Sequence, residues 1–170
     1  MSAVVLDKYQ KTCFDDYRAG KNLGIFSSAG CGKSVLLRAI VRDAVTAHGP
    51  GSVAVCSWYG AAADLIGGRT LHSFFSCGIR LLTPKEFVES TKSRSGLVAK
   101  LLDVRVLIID EVFTITALWL GAFLRILRGI APASGQTHPA GGVQVIRMFF
   151  VCSLVMIYGS LYPAASGSVV

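Results

Sequence analysis

Hydrophobic runs of strand length alternate with segments of helical pattern along most of the chain. Short runs that are apolar at nearly every position are typical of buried strands. The predicted strands are residues 24–26, 52–56 and 104–109. The predicted helices are residues 35–41, 61–66 and 97–102, with a turn at Gly60 before the second. Apolar strands separated by helices predict an α/β fold, in which a mostly parallel sheet has helices on both faces.

The length and composition favour one folded domain with a basic surface. The chain has 170 residues, of which 52% are hydrophobic and 16% charged, and this balance excludes a disordered chain. The formal net charge of +7 favours polyanionic partners such as nucleic acid or nucleotide phosphates. A merely solvated basic surface would carry the same charge, so the charge alone does not decide between the two.

The cysteine and histidine positions show no pattern typical of a metal site or a disulfide framework. The five cysteines are scattered without a C-x-x-C pair, and the three histidines lie far apart. We therefore expect no structural metal and a reducing, intracellular compartment. Residues 1–10 contain neither a long apolar run nor an arginine-rich amphipathic pattern, so we expect no targeting segment.

The segment FSSAGCGKS, at the end of the first predicted strand, is close to the phosphate-binding pattern G-x-x-x-x-G-K-[ST]. Ser27 stands where the pattern has its first glycine, and we expect a small residue to suffice there. Gly30 and Gly32 let backbone amides approach phosphate, and the helix N-terminus that follows favours negative charge. In this pattern Lys33 reaches the β- and γ-phosphates and Ser34 binds Mg²⁺. An ordinary glycine-rich turn is the alternative.

Asp110 and Glu111 close the third predicted strand. Ligands of parallel sheets bind at the carboxyl ends of the strands, where the phosphate loop also lies. One carboxylate there can hold Mg²⁺, and a second can orient and deprotonate an attacking water. A solvated pair at a turn is the alternative for an isolated Asp-Glu. Together with the phosphate loop, the pair indicates nucleotide hydrolysis.

The segment GGRTLHSFF, residues 67–75, mixes small, hydroxyl, basic and aromatic side chains. Such a segment can supply phosphate contacts and a stacking surface for single-stranded nucleic acid. Packing of Leu71, Phe74 and Phe75 in the core is the alternative, which this short pattern does not exclude.

Taken in order, these motifs resemble the first motor domain of the petite-integration-frequency type of DNA helicase, within helicase superfamily one. The resemblance spans about residues 6–146. Its most specific part is the segment 66–74, because other phosphate-loop proteins have no reason to carry it. The other matching residues are Gln10, Gly20-Lys21-Asn22, Ala29-Gly30-Cys31-Gly32-Lys33-Ser34, Ala61-Ala62, Ile109-Asp110-Glu111 and Gly141-Gly142-Val143-Gln144-Val145.

The resemblance implies a RecA-like phosphate-loop NTPase fold and an ATP-driven motor that moves 5′ to 3′ along single-stranded DNA, in the nucleus or the mitochondrion. It implies ATP and Mg²⁺ as ligands, with Lys33 and Glu111 catalytic and with Ser34 and Asp110 binding the metal. The implied nucleotide-binding residues are Gln10, which would read the adenine, Ala29, Gly30, Cys31, Gly32, Lys33 and Ser34. The implied DNA-binding residues are Gly60, Thr70, His72 and Phe74.

The chain also departs from the family pattern. Trp58-Tyr59-Gly60 replaces the family's proline-threonine-glycine turn, which weakens the case for a DNA contact there. The pattern ends after Ile146, and the family's glutamine that senses the γ-phosphate falls on Ser153 by counting. We therefore expect a motor domain at residues 1–146 and a divergent apolar tail at 147–170. The second motor domain, with its arginine finger, is absent from this sequence, and a truncated or frame-shifted gene product is our hypothesis.

Other functions remain open at this point. A small phosphate-loop kinase would need an acceptor pocket and a basic lid, and the sequence shows no clear candidate for either. A non-catalytic remnant of a helicase would keep the same motifs. Residues 148–165 are uncharged and near the length that spans a bilayer, but they include Gly159, Ser160 and Pro163, and we expect no membrane anchor.

Overall fold

One parallel sheet forms the centre of the fold. The computed structural model describes residues 5–28, 30–77 and 83–150. The strands in this part of the chain are β1 Leu23–Ser27, β2 Val53–Ser57, β3 Arg69–Thr70, β4 Val106–Asp110 and β5 Gln144–Phe150. They pair in parallel in the order β1-β5-β4-β2-β3. The carboxyl ends of all these strands therefore meet at one edge of the sheet.

Helices cover both faces of this sheet. They are α1 Lys8–Arg18, α2 Lys33–His48, α3 Gly60–Leu65, α4 Leu71–Phe74, α5 Pro84–Lys92, α6 Ser95–Leu102 and α7 Ala117–Ile130, with 3₁₀ turns at Pro50–Ser52 and Val112–Thr114. The core on one face joins α1 and α2 to Ile108 of β4. The core on the other face joins the four helices α4, α5, α6 and α7 to Leu107 and Ile109 of the same strand. Because every residue of β4 is buried, this strand serves both cores, and the predicted α/β fold is confirmed.

The predicted strands and helices are all present, with shifted ends. α2 runs on to His48 because its buried apolar face continues past the predicted segment. β4 begins at Val106 rather than at residue 104, and just before it the Arg105 amide donates to the Ser52 carbonyl at 2.7 Å. Gly60 is the first residue of α3 rather than part of a turn before it.

Several elements lie outside the sequence predictions, among them α1, α5, α7 and β5. Each of these three helices begins after a capping side chain. Asp7, Thr83 and Thr116 accept hydrogen bonds from backbone amides of the first helical turn. Capping residues of this kind are a sequence signal that could have identified the starts of the three helices.

Helix α1 is tied to the edge of the sheet where the strands begin. The side-chain amide of Gln144, at the start of β5, donates to the carbonyls of Tyr17 at 2.8 Å and Lys21 at 2.7 Å. The Asn22 side-chain oxygen accepts the Val145 amide at 2.7 Å. Because these bonds hold the last turn of α1, its first turn is directed towards the opposite edge, where the strands end.

The predicted domain boundary at residue 146 falls within β5. Arg147 pairs in register with Gly24, and Met148 pairs with Ile25, so the sheet continues past that boundary. The predicted tail from residue 151 onward, with Ser153 and most of the segment weighed as a membrane anchor, lies outside the described residues. Within the described ranges, no helix combines the length and the apolar character needed to cross a bilayer.

Candidate functional site

The phosphate loop lies between the end of β1 and the start of α2, as its pattern requires. Gly30 and Gly32 have φ values of +78° and +74°, which an L side chain rarely adopts. Gly32 is the residue before α2, and no side chain caps that helix. Exposed amides at a helix start bind anions well, so this geometry suits a phosphate group. Ala29 lies outside the described residues.

Ser27, which replaces the first glycine of the pattern, is the last residue of β1. It is not among the described residues with positive φ, so the backbone places no demand for glycine at this position. Its hydroxyl oxygen is buried and has no hydrogen-bond partner within the described part of the chain. The substitution is therefore compatible with the geometry of the loop.

An ion pair connects the phosphate loop to the end of β4. The Lys33 ammonium lies 3.0 Å from the Asp110 carboxylate, and the two side chains are 17% and 10% exposed. The same Asp110 oxygen accepts the Glu111 amide at 3.0 Å. The strand order places β5 between β1 and β4, and the length of the Lys33 side chain bridges that gap. A buried carboxylate is costly without such partners, so the Lys33 ammonium and the Glu111 amide together satisfy Asp110 beside the loop.

Glu111 has an unusual backbone conformation at the end of β4. Its φ of +53° places it in the left-handed region, which costs on the order of 1 kcal/mol or more for a residue other than glycine. Its carbonyl accepts bonds from the Thr114 amide at 3.1 Å and the Thr114 hydroxyl at 2.8 Å. These bonds hold the sharp turn after the strand, and the half-buried Glu111 keeps a fixed position next to Asp110.

A cavity of about 790 Å³ opens beside the phosphate loop. Residues of α1, β1, the loop and the first turns of α2 line it; the loop residues among them include Ser28, Gly30, Cys31 and Gly32. Its volume lies within the range of roughly 300–1,000 Å³ that is usual for small-molecule sites. The cavity is therefore large enough for the nucleoside part of a nucleotide whose phosphates lie in the loop.

Gln10 lies at the wall of this cavity, against the loop backbone. Its side-chain nitrogen is 3.4 Å from the Cys31 carbonyl and 3.3 Å from the Gly32 carbonyl. Its side-chain oxygen accepts the Asp7 amide at 3.0 Å, which completes the capping box of α1. The φ of +74° favours glycine at position 32, and the end of the Gln10 side chain lies close to where a Cβ atom would stand.

The predicted DNA-binding residues follow β2 and β3, on the other side of β4 from the loop. Thr70 caps α4, because its hydroxyl oxygen accepts the Ser73 amide at 3.1 Å. The His72 ring lies 4.3 Å from the Trp58 ring, and burial lowers the pKa of His72 below its usual value, so the neutral form is favoured. Gly60 is exposed at the start of α3, and a Cβ there would meet nothing within 4 Å.

Phe74 differs from the other three residues, because its ring is part of the core. It is 7% exposed and packs edge-on against Phe75, with the Lys100 ammonium 4.6 Å from its ring centre. This burial favours the alternative of core packing for Phe74. The DNA contact predicted for this ring stays a prediction.

The structure also joins residues that the sequence analysis did not combine. The rings of Trp58 and Trp119 lie 6.1 Å apart, and both contact the ring of His72. Trp58 follows β2, and Trp119 belongs to the first turn of α7, after the strand-end carboxylates. The signal that could have located Trp119 is the preceding capping residue Thr116, which marks a helix start at this edge.

Comparisons with known proteins identify the family of this chain. A family model described as PIF1-like helicase matches residues 5–149. The chain belongs to the PIF1-like helicase family. The ATP-dependent DNA helicase RRM3 of Saccharomyces cerevisiae is 35% identical over 125 residues, which are 74% of this chain and 17% of RRM3. Relatives in this family are thus enzymes that bear the name ATP-dependent DNA helicase.

Solved structures of PIF1-like helicases share the fold. The Pif1 helicase of Candida albicans superposes with a TM-score of 0.76 at 29% identity, covering 89% of this chain and 35% of that one. Pif1 of Bacteroides, solved in complex with ADP-AlF3 and single-stranded DNA, gives a TM-score of 0.67 at 26% identity, covering 86% and 32%. The chain therefore spans about a third of each solved structure and less of RRM3, and corresponds to part of the helicase region.

Proposed function

We propose that this chain binds ATP with Mg²⁺ and supplies the nucleotide-binding half of a helicase motor that moves 5′ to 3′ along single-stranded DNA. The observation that carries the proposal is the Lys33–Asp110 ion pair of 3.0 Å, which joins the phosphate loop to the strand-end carboxylates. A relative in the same family was solved with both ADP-AlF3 and single-stranded DNA. Membership of the family also supports a nuclear or mitochondrial location.

The residues at the loop fit a magnesium ion. Mg²⁺ prefers hard oxygen ligands and is usually held by one or two protein oxygens together with substrate phosphates. The Ser34 hydroxyl and the Asp110 carboxylate offer such oxygens, and Lys33, next to Ser34 in sequence, already contacts Asp110. Mg²⁺ supplies charge neutralisation at the β- and γ-phosphates when it is bound.

Nucleotide binding would change the partners of Lys33. The Lys33 ammonium lies 3.0 Å from the buried Asp110 carboxylate. We propose that Lys33 moves to the β- and γ-phosphates and that the metal replaces it as the partner of Asp110. Glu111, which stays at the strand end, would orient and deprotonate the attacking water.

The cavity beside the loop is the proposed site of the adenine. The Gln10 side-chain nitrogen makes long contacts of 3.3 and 3.4 Å with the loop carbonyls, which are weak and easily exchanged. We propose that Gln10 gives up these contacts and pairs with the adenine edge, since a side-chain amide offers both a donor and an acceptor. The Gly32 carbonyl would keep the bonds that it accepts from the Val35 amide at 2.9 Å and the Leu36 amide at 3.2 Å.

The proposed path of the DNA crosses the strand ends of β2 and β3. The Gly60 amide, the Thr70 hydroxyl and the His72 ring lie at this edge, with the carboxylates of β4 between them and the phosphate loop. Because burial favours neutral His72, its contribution would be a ring face or a single hydrogen bond rather than a positive charge. Phe74 supports this path only by packing beneath it.

Calorimetric titration with ATP and Mg²⁺ tests the nucleotide site. We expect Lys33→Ala to abolish measurable binding, because Lys33 is the loop residue that can bring a flexible cation to the β- and γ-phosphates. Since the change also leaves Asp110 without its cation, circular dichroism must show that the variant is folded.

Ser27→Gly is the matched control in the same loop. It restores the glycine of the pattern without touching Lys33, and we expect its affinity to stay within about threefold of the original, a change of under ~0.7 kcal/mol. Unchanged affinity in a folded Lys33→Ala variant would mean that FSSAGCGKS is only a turn.

A further inference from the structure

Helices α5 and α7 pack side by side and enclose a basic groove on the outer surface of the protein. Its volume is about 380 Å³. Four cationic side chains line it, with one carboxylate among them and no aromatic ring. The charged lining residues are Lys85, Glu89, Lys92, Arg125 and Arg128. No motif recognised in the sequence includes any of them.

The packing of α5 against α7 brings cations from both helices into the groove. Gly129 of α7 makes room for the Lys92 side chain, since a Cβ at that position would lie 3.1 Å from the Lys92 Cε atom. The Lys92 ammonium is 3.6 Å from Glu89, and both side chains are largely exposed, so this pair neutralises little of the groove's charge.

The other cations keep their charged ends available. With partners in the described part of the chain, Arg125 and Arg128 form hydrogen bonds through Nε alone, to the carbonyls of Gly121 at 3.1 Å and Gln136 at 2.6 Å. Lys85 makes neither a hydrogen bond nor an ion pair with the residues that the structure describes. The groove therefore presents several unneutralised cations on two rigid helices.

This groove is separate from the proposed single-strand path. α7 starts after β4 at the carboxyl edge of the sheet and runs back towards the edge where β5 begins. Arg125 and Arg128 belong to its last two turns, away from Asp110 and Glu111. A ligand in the groove would leave the strand ends open.

We propose that the α5–α7 groove binds the phosphate backbone of duplex DNA. The inference rests on the proposed helicase function, which brings the protein next to a duplex. Proteins that hold single strands combine positive charge with aromatic stacking, and the lining of this groove has no aromatic ring. Contacts to phosphate alone suit a duplex, whose bases are hidden and which carries about one negative charge per 1.7 Å of its axis.

Fluorescence anisotropy with a short labelled blunt duplex tests the groove. The variant combines Lys85→Gln, Lys92→Gln and Arg125→Gln, and it keeps Arg128 because that side chain also holds the loop at Gln136. We expect duplex affinity to fall at least about tenfold at ~0.1 M salt. The slope of log affinity against log salt should become less steep by about 2 to 3, roughly one unit per lost phosphate contact.

The matched control removes the same charge from the opposite face of the sheet. It combines Lys11→Gln, Arg38→Gln and Arg42→Gln, all exposed on α1 or α2. An equal loss in the control, or no duplex binding by the unchanged protein, overturns the proposal.

If the groove variant loses binding to an acidic peptide and keeps duplex binding, the groove is instead a protein-binding site. If the groove and the nucleotide site are independent, the affinity of the same variants for ATP stays unchanged in a titration. This measurement separates failure of the groove proposal from failure of the proposed nucleotide site.

Discussion

At the scale of single residues, four described cysteines occupy different environments. Cys31 is exposed in the phosphate loop, next to the proposed nucleotide. Cys56 is buried in β2, and burial raises the pKa of its thiol to about 12. Burial also raises the pKa of Cys77 to about 12 and shifts that of Cys13 upwards. Because the thiolate is the reactive species, alkylation should distinguish Cys31 from the other three.

Among the four described cysteines, Cys31 should therefore react first with iodoacetamide at pH 8, and ATP with Mg²⁺ should slow the reaction by covering the loop. A thiol whose pKa is about 12 is ionised only to about 10⁻⁴ at that pH, so Cys56 and Cys77 should stay unlabelled in the folded protein. Peptide mass spectrometry assigns each site, and Cys31→Ser provides the control. Labelling of Cys31 that is no faster than that of Cys56, or that ignores nucleotide, would contradict the loop geometry.

At the scale of elements, the connection from α7 to β5 depends on a close backbone approach. Gly141 has a φ of +67°, and a Cβ there would collide with the Leu127 carbonyl and lie 2.8 Å from the Ala131 Cβ. Leu127 lies in the last turn of α7, and Ala131 is the residue after that helix. Glycine at position 141 thus lets the returning chain lie against α7 before it enters β5.

Gly141→Ala should destabilise the fold by roughly 2–4 kcal/mol, the sum of left-handed strain and overpacking. Gly96 in α6 is the comparison, because a Cβ there meets nothing within 4 Å and its φ is ordinary. Gly96→Ala should stabilise the protein by about 0.5–1 kcal/mol, since alanine loses less backbone freedom in a helix. Urea unfolding followed by circular dichroism measures both, and equal effects of the same sign would refute the packing described for Gly141.

At the scale of the whole molecule, the residues proposed to bind nucleotide and DNA share one edge of the sheet. The nucleotide loop, the strand-end carboxylates and the proposed DNA path all lie at one edge of one sheet. The family resemblance places the arginine that stabilises the transferring phosphoryl group in a second motor domain. The 170 residues cover about a third of the solved relatives.

The 170-residue chain alone should therefore bind ATP with Mg²⁺ but hydrolyse it slowly, with little stimulation by single-stranded DNA. Such an arginine accelerates hydrolysis by about 10³–10⁵, which corresponds to roughly 4–7 kcal/mol of barrier. A coupled phosphate-release assay with and without single-stranded DNA measures this, and Glu111→Gln gives the background. Strong DNA-stimulated turnover that disappears in Glu111→Gln would show that the chain by itself makes a complete motor.

The sequence by itself determined the features that depend on local chemistry. Apolar runs predicted β1, β2 and β4, and the reason is clearest for β4, which lies between two strands and is buried at every residue. The spacing of Gly30, Gly32 and Lys33 predicted the phosphate loop, and Asp110-Glu111 marked a strand end. Two further local signals mark α7, namely the capping residue Thr116 and the helical spacing of the buried residues Ala122, Phe123, Ile126 and Leu127.

Only the tertiary structure decided which of these features meet. The position of β5 between β1 and β4 follows from long-range strand pairing, which no local pattern encodes. Three features depend on long-range packing of this kind: the burial of Phe74, the contact of Gln10 with the loop carbonyls, and the ion pair between Lys33 and Asp110. The groove between α5 and α7 arises in the same way, because its cations lie about 40 residues apart in the chain and are brought together by a shared core.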